Sequence, residues 1–172
     1  MRIFIQIIIL SSLVFWGCND TSNEPQSNNN EYVKGDVSFL LKTTVDFQEM
    51  IDAVFPLGEI NAIKINLYES SGAFPQDSLQ YLKSIFAQYP FIDTTLTSIK
   101  FVNEENHWEF FLWIRDFKEN NIPDWSTLKN QLNMIPLSNL KAYGLFKIEE
   151  GKESYWINLL KNTNLFEWVD YN

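Results

Sequence analysis

The sequence is poor in the side chains that most catalytic and cofactor-binding motifs require. It has one cysteine and one histidine, Cys18 and His107, in 172 residues. A single cysteine excludes an internal disulfide and a Cys-x-x-Cys motif, and a single histidine excludes His-Glu-x-x-His and other two-histidine metal sites. The six glycines form neither a Gly-x-Gly-x-x-Gly motif nor a phosphate-binding loop. We therefore expect no cofactor, no metal and no enzymatic activity.

Positive charge is also scarce. The chain has 13 basic and 22 acidic residues, which gives a formal net charge of −9. Nucleic-acid binding depends on basic patches that neutralise phosphates, so we expect no nucleic-acid partner. The acidity suits a basic protein partner, although it also serves solubility alone.

The titratable side chains suggest no catalytic pair. Glu104-Glu105 and Glu149-Glu150 are adjacent acids in predicted turns, where they are solvated. A hydrolase needs two acids facing each other across a cleft, one of them with a pKa raised by burial. His107 falls in the same predicted turn as Glu104-Glu105, and we expect it to be a solvated residue.

The start of the chain contrasts with this acidic composition. Met1-Arg2 is positive, and an almost wholly apolar run of about 13 residues follows from Ile3 to Phe15, too short to span a bilayer as a helix. A positive start, a short apolar run and a small residue at the boundary are typical of a secretory signal peptide. The alternatives are an N-terminal membrane anchor and a buried apolar segment with an incidental cysteine. We expect a signal peptide in 1–17, a flexible tether in 18–34 and a single domain in 35–172.

The stretch Val14-Phe15-Trp16-Gly17-Cys18 resembles the lipobox of bacterial lipoproteins. The likeness rests on Gly17 before Cys18 and on the apolar run upstream; Phe15 stands where leucine is usual, and Trp16 where a small residue is usual. The resemblance implies cleavage before Cys18 and lipidation of Cys18. It therefore implies attachment to the bacterial cell envelope, with the outer membrane favoured over the inner. The Ser- and Asn-rich segment that follows cannot bury enough surface to fold, as a tether requires.

The periodicities beyond residue 35 predict an α+β domain. Two-residue alternation predicts strands, and apolar residues three and four positions apart predict amphipathic helices. The predicted strands are 37–41, 63–67, 99–102, 108–115, 142–148 and 165–169, and the predicted helices begin near residues 46, 75, 123 and 153. The buried side of the third helix is expected to contain Leu128, Gln131, Leu132 and Ile135. Thr44 or Asp46 can cap the first helix, and Ser70-Ser71-Gly72 is a predicted loop.

Two strand–helix–strand units, 37–68 and 142–169, suggest the architecture. Right-handed crossovers would place both helices on one face of the sheet. The pattern predicts a ferredoxin-like α/β sandwich with two βαβ-containing halves, a mostly antiparallel sheet of about six strands and helices mainly on one face. The segment from Lys147 to Val169 is also similar to the end of subtilisin propeptide-type inhibitor domains. That resemblance implies a C-terminal tail, here Asp170-Tyr171-Asn172, that enters a protease cleft.

Aromatic residues are the one excess in the composition, at 16% of the chain. Tyr and Trp are enriched at interfaces, and exposed rings can also stack on sugars. The alternative is that the rings fill the interface between sheet and helices, and both faces of the strand 108–115 are then expected to be covered. Exposed aromatics on the face opposite the helices would favour a binding role. The candidate interaction aromatics are Trp108, Phe111, Trp113, Trp156 and Trp168.

These observations predict a lipid-anchored cell-envelope protein that acts as a non-catalytic protein-interaction module. It would be held to the membrane by lipid on Cys18 and would bind another envelope or secreted protein. Four alternatives stay open: a protease inhibitor of propeptide type, from the C-terminal unit; an immunity protein, from the acidity; a glycan-binding module, from the aromatics; and, last, a hydrolase that uses acidic residues.

Overall fold

A computed structural model describes residues 32–137 and 140–172, and Tyr32–Asn172 is one compact unit. The predicted signal peptide, Cys18 and the tether up to residue 31 lie outside the described residues. Within the described part, no helix is long and apolar enough to span a membrane. The elements are β1 (Asp36–Leu41), α1 (Phe47–Val54), β2 (Ala62–Ser71), α2 (Leu79–Phe86), β3 (Ser98–Val102), β4 (His107–Phe117), α3 (Ile122–Leu132), β5 (Ile135–Pro136), β6 (Tyr143–Lys147), α4 (Glu153–Lys161) and β7 (Phe166–Tyr171).

The strands form one antiparallel sheet, ordered β3-β4-β2-β6-β1-β7, with β5 paired to β2 beyond the end of β6. Strands β1 and β2 flank β6, and strands β6 and β7 flank β1. The two βαβ units are β1-α1-β2 and β6-α4-β7. Strand β6 lies between the two strands of the first unit, and β1 lies between the two strands of the second, as in the ferredoxin-like fold. The predicted α+β sandwich is confirmed. The chain between β2 and β6 adds β4 and β3 at one side, so the sheet is wider than the two units alone would make it.

One hydrophobic core fills the space between the helices and one face of the sheet. Alternate residues of each long strand point into it, together with the apolar stripes of all four described helices. The largest fully buried side chains include Trp125, Phe39, Phe47, Phe86, Phe110, Phe117 and Phe146. The core side chains of the sheet thus face the helices, and the opposite set of side chains has no helix over it among the described residues.

Two local features define the start of α1 and the close packing of β6. Asp46 caps α1, as one of the two predicted alternatives, by accepting a hydrogen bond of 2.7 Å from the Glu49 N–H. Gly144 in β6 lies directly under the Phe39 ring. A Cβ at this glycine would come within 3.0 Å of that ring and 2.6 Å of the Lys64 carbonyl oxygen. The sheet needs glycine here because the neighbouring strand and ring occupy the space.

Three local predictions are corrected. Ser70 and Ser71 are the last residues of β2 instead of a loop. Ser71 is buried there because its hydroxyl donates to the Leu132 carbonyl at 2.5 Å, a tertiary partner that local sequence does not reveal. Helix α2 begins at Leu79 and not near residue 75. Ile135, expected on the buried side of the third helix, lies in β5, because Asn133 adopts a left-handed conformation that ends α3 at Leu132.

Candidate interaction surface

The sheet face that points away from the helices has an aromatic row across its strands; we call this face the open face. Trp113 of β4 pairs with Asn66 of β2, and the Asn66 side-chain oxygen accepts a hydrogen bond of 3.0 Å from the Tyr143 N–H in β6. Leu40 of β1 then pairs with Tyr143 on one side and with Trp168 of β7 on the other. Five neighbouring strands therefore contribute one side chain each to a continuous row.

The three large rings of this row are exposed to water. Trp113 is 40% exposed, Tyr143 43% and Trp168 41%. The Tyr143 and Trp168 rings lie 5.8 Å apart, and Phe111 lies 5.8 Å from Trp113. Exposed Ile135 extends the patch, since it pairs with outward-pointing Ser70. The expectation that both faces of the β4 strand are covered is therefore wrong, because Trp113 is uncovered.

The five candidate aromatics fall into two groups. Phe111, Trp113 and Trp168 lie on the open face. Trp108 and Trp156 are both 2% exposed and belong to the core, so they are corrected from contact residues to packing residues. Trp108 shares the inward side of β4, where its indole N–H lies 3.2 Å from the carbonyls of Phe74 and Pro75. Strand alternation separates it from Phe111 and Trp113.

Tyr143 is the functional candidate that the sequence interpretation missed. It begins a short strand whose outward side alternates with the buried residues Gly144 and Phe146. Its neighbours on the open face are Asn66 of β2 and Leu40 of β1, with Trp168 beyond Leu40, and this arrangement follows from strand order and not from local sequence. Its place at the start of a strand was the only signal available.

The open face is electrically balanced, although the whole chain carries −9. Two ion pairs cross it: Lys147 with Asp36 at 2.5 Å, and Arg115 with Asp93 at 3.1 Å. Lys100 lies opposite Glu109 on the neighbouring strand. A second protein can approach this face without the like-charge repulsion that the rest of the acidic surface offers to an acidic partner.

The rings do not form a flat stacking platform. The interplanar angle is 36° between Tyr68 and Phe111, 84° between Phe111 and Trp113, and 48° between Tyr143 and Trp168. A polysaccharide or single-stranded nucleic acid that stacks successive units needs rings presented face-on. Tilted rings mixed with leucine and isoleucine instead match the side chains at the centre of protein–protein interfaces.

One acidic group has a strongly perturbed pKa, but it lies in the core. Burial raises the pKa of Glu69 to about 8. Nearby Asp46 shows the opposite result: burial alone would raise its pKa, but hydrogen bonds from the Glu49 N–H and the Lys129 ammonium outweigh burial and lower it. Such a split between two carboxyl groups is the usual sign of acid–base catalysis. Here the cavity beside Glu69 and Asp46 measures about 30 Å³, which holds one water and no substrate.

His107 and the glutamates of the predicted turns do not form a catalytic or metal site among the described residues. His107 is half-buried at the start of β4, with its ring nitrogens 3.5 Å from Glu105 and 3.6 Å from Glu109. Among the described residues no group of three or more potential ligands is placed to hold a metal ion. Glu104 and Glu149 are exposed, as expected for solvated turn residues.

The C-terminal residues are part of the sheet. Asp170 and Tyr171 belong to β7 and pair with β1. The Tyr171 hydroxyl lies 2.6 Å from the Ser154 hydroxyl, and the Asn172 carbonyl accepts a hydrogen bond of 2.8 Å from the Val33 N–H. A tail held in this way is not extended for insertion into a protease cleft, which weakens the propeptide-type alternative.

Comparison with known proteins finds no family model, no curated protein and no solved structure that matches this chain.

Proposed function

We propose that this protein is a lipid-anchored component of the bacterial cell envelope that binds another protein through its open face, without catalysis. The observation that carries the proposal is the row of exposed rings, Trp113, Tyr143 and Trp168, on the face that no described helix covers. A binding role predicts exposed aromatic residues on this face, whereas packing of the core does not require them.

The size of the patch supports this role. A large aromatic side chain buries roughly 150–250 Å², so three rings at about 40% exposure leave roughly 250 Å² of ring surface in water. Ile135 brings the patch into the range of roughly 300–600 Å² that is typical of the largest patch on a monomer and is often functional. Trp and Tyr are also the residues that most often dominate binding energy at interfaces.

The proposed location in the cell envelope is supported by the sequence alone. Cys18 after Gly17 and an apolar run supports lipid attachment, and several acyl chains on one residue hold far more firmly than one, since each buried methylene contributes about 0.8 kcal/mol. An anchor of this kind does not depend on attraction to anionic lipid headgroups, so the acidic charge does not oppose it. The non-catalytic part is supported by the size of the cavity that the perturbed acid Glu69 lines, which measures about 30 Å³.

The lipid anchor is tested by fatty-acid labelling of the full-length protein and of its Cys18→Ala variant, followed by membrane fractionation of both. We expect label in the wild type only, with the variant left unprocessed. Equal labelling of both chains, or of neither, would remove the lipid anchor from the proposal.

The open face is tested by chemical crosslinking in intact cells and recovery of the full-length protein. We expect one defined partner band with the wild type and with the control Tyr81→Ser, an exposed aromatic of α2, and its loss in the double variant Trp113→Ser, Trp168→Ser. Circular dichroism of the double variant shows whether its fold is intact. A band that persists in the folded double variant would place the contact elsewhere.

A further inference from the structure

We propose that a pocket at one end of the sheet, separate from the open face, binds an uncharged saccharide. The pocket lies between the residues that follow α1 and the residues that lead into α4, and its volume is about 420 Å³. Ligand pockets typically measure roughly 300–1,000 Å³ and combine an apolar lining with a few polar groups. This inference does not rest on the proposed function, because it uses none of the open-face residues.

The lining is apolar and includes one exposed ring. Leu57 and the buried Trp156 indole contribute apolar surface, and Tyr155 beside them is 59% exposed. The Tyr155 and Trp156 rings meet edge to face, with centroids 6.1 Å apart. Gly58 keeps the backbone close to this floor, since a Cβ there would lie 3.2 Å from Trp156 Cζ2. A single uncovered ring beside an apolar floor suits the apolar C–H face of a sugar.

The rim carries both donors and acceptors. Lys152 and Glu149 form an ion pair, and Glu59 and Asn61 complete the polar lining. Glu59 and Asn61 are both exposed, so their side chains are hydrated at the rim. Sugar hydroxyls both donate and accept, so they can donate to the two carboxylates and accept from the ammonium and the amide.

The polar side chains of the rim oppose three other classes of ligand: anions, cations and wholly apolar molecules. An anion would face Glu59 and Glu149 with Lys152 as the sole cation of the lining. A cation would have to compete with Lys152, which already pairs with Glu149 and whose pKa is raised by its hydrogen bond to Glu149 and by the charges of Glu149 and Glu59. Glu59 is therefore the one carboxylate of the described lining left for a cation. A wholly apolar ligand would desolvate the free carboxylate and amide without replacing their hydrogen bonds with water. An uncharged molecule with many hydroxyls and an apolar face meets none of these costs.

The test uses the full chain in a sugar-free zwitterionic detergent, with cellotriose and the fully N-acetylated trimer of chitin as uncharged probes and spermidine and citrate as charged comparators. Binding is followed by the NMR resonances of Tyr155 and Trp156 during titration to millimolar ligand. We expect saturable shifts with at least one oligosaccharide. Tyr155→Ala and Glu59→Gln should each weaken that affinity at least tenfold, while Tyr81→Ala, an exposed tyrosine of α2, should leave it unchanged.

Three results would overturn the assignment. They are no shift with either oligosaccharide, a shift that both pocket variants retain, and tighter binding of spermidine or citrate than of the sugars. Tyr155 and Glu59 are exposed, so their replacement should leave the fold intact, and the spectra of the variants verify this directly.

Discussion

Glu69 should make the domain less stable as the pH rises, and Glu69→Gln should remove that dependence. The carboxyl group lies on the core side of β2, where burial raises its pKa from 4.5 to about 8; Lys129 opposes this shift and Asp46 adds to it. Between these two values the folded chain keeps a proton that the unfolded chain releases. Because the unfolded state then binds fewer protons, the free energy of unfolding falls with increasing pH. The slope reaches about 1.4 kcal/mol per pH unit, so the loss between about pH 5 and pH 8 should be about 3–4 kcal/mol.

The amide of Glu69→Gln keeps the shape of the neutral carboxyl group and does not titrate. Urea unfolding of residues 32–172 across this pH range should show the decline in the wild type and in the exposed control Glu104→Gln, and a flat profile in Glu69→Gln. At pH 7 the free energy of unfolding of Glu69→Gln should exceed that of the wild type by about 3 kcal/mol. Asp46 does not disturb this window, because its lowered pKa affects stability only at more acidic pH. Parallel pH profiles for the wild type and Glu69→Gln would refute the reasoning.

Substitutions at four further positions test the core packing, the two sides of the sheet and the cap of α1 by chemical denaturation. Gly144→Ala should destabilise the domain by about 3 kcal/mol because the new methyl group meets the Phe39 ring; unchanged stability would mean that the ring moves freely. Trp108→Ala should cost about 3–5 kcal/mol as a buried aromatic, whereas Trp113→Ala on the open face should cost less than about 1 kcal/mol; equal costs would contradict the assignment of the two sides. Asp46→Ala should cost about 1 kcal/mol through loss of the helix cap, and Asp46→Asn should restore most of it.

The local periodicity was sufficient to predict the elements other than β5, because most of them bury a single side; β1 differs, since Asp36 and Ser38 on its outward side are also buried. In β4 the alternation of Trp108, Phe110, Leu112 and Ile114 with Phe111 and Trp113 separates inward from outward residues without any knowledge of the neighbours. The ferredoxin-like pairing followed from two similar strand–helix–strand units. The end of β2 was missed because two serines resemble a turn, and Ser71 is tolerated in the core only through its bond to Leu132.

The candidate surface was less predictable, because exposure is a property of strand order. The sequence shows that Trp168 and Phe111 alternate with core residues, but not that β7 is an edge strand or that β4 lies beside β2. Trp156 shows the same difficulty on a helix, since its neighbour Tyr155 is exposed and only the rotation of α4 against the sheet decides which ring is buried. Aromatic counts alone therefore suggested a binding surface without locating it.

The first described residues are held against α4 and β7. The Gly35 N–H donates a hydrogen bond of 2.7 Å to the Glu153 carboxylate at the start of α4. Tyr32 packs on Tyr171, with ring centroids 4.8 Å apart, and the Tyr171 hydroxyl contacts Ser154 of the same helix. The first described residues therefore join the domain on its helical side.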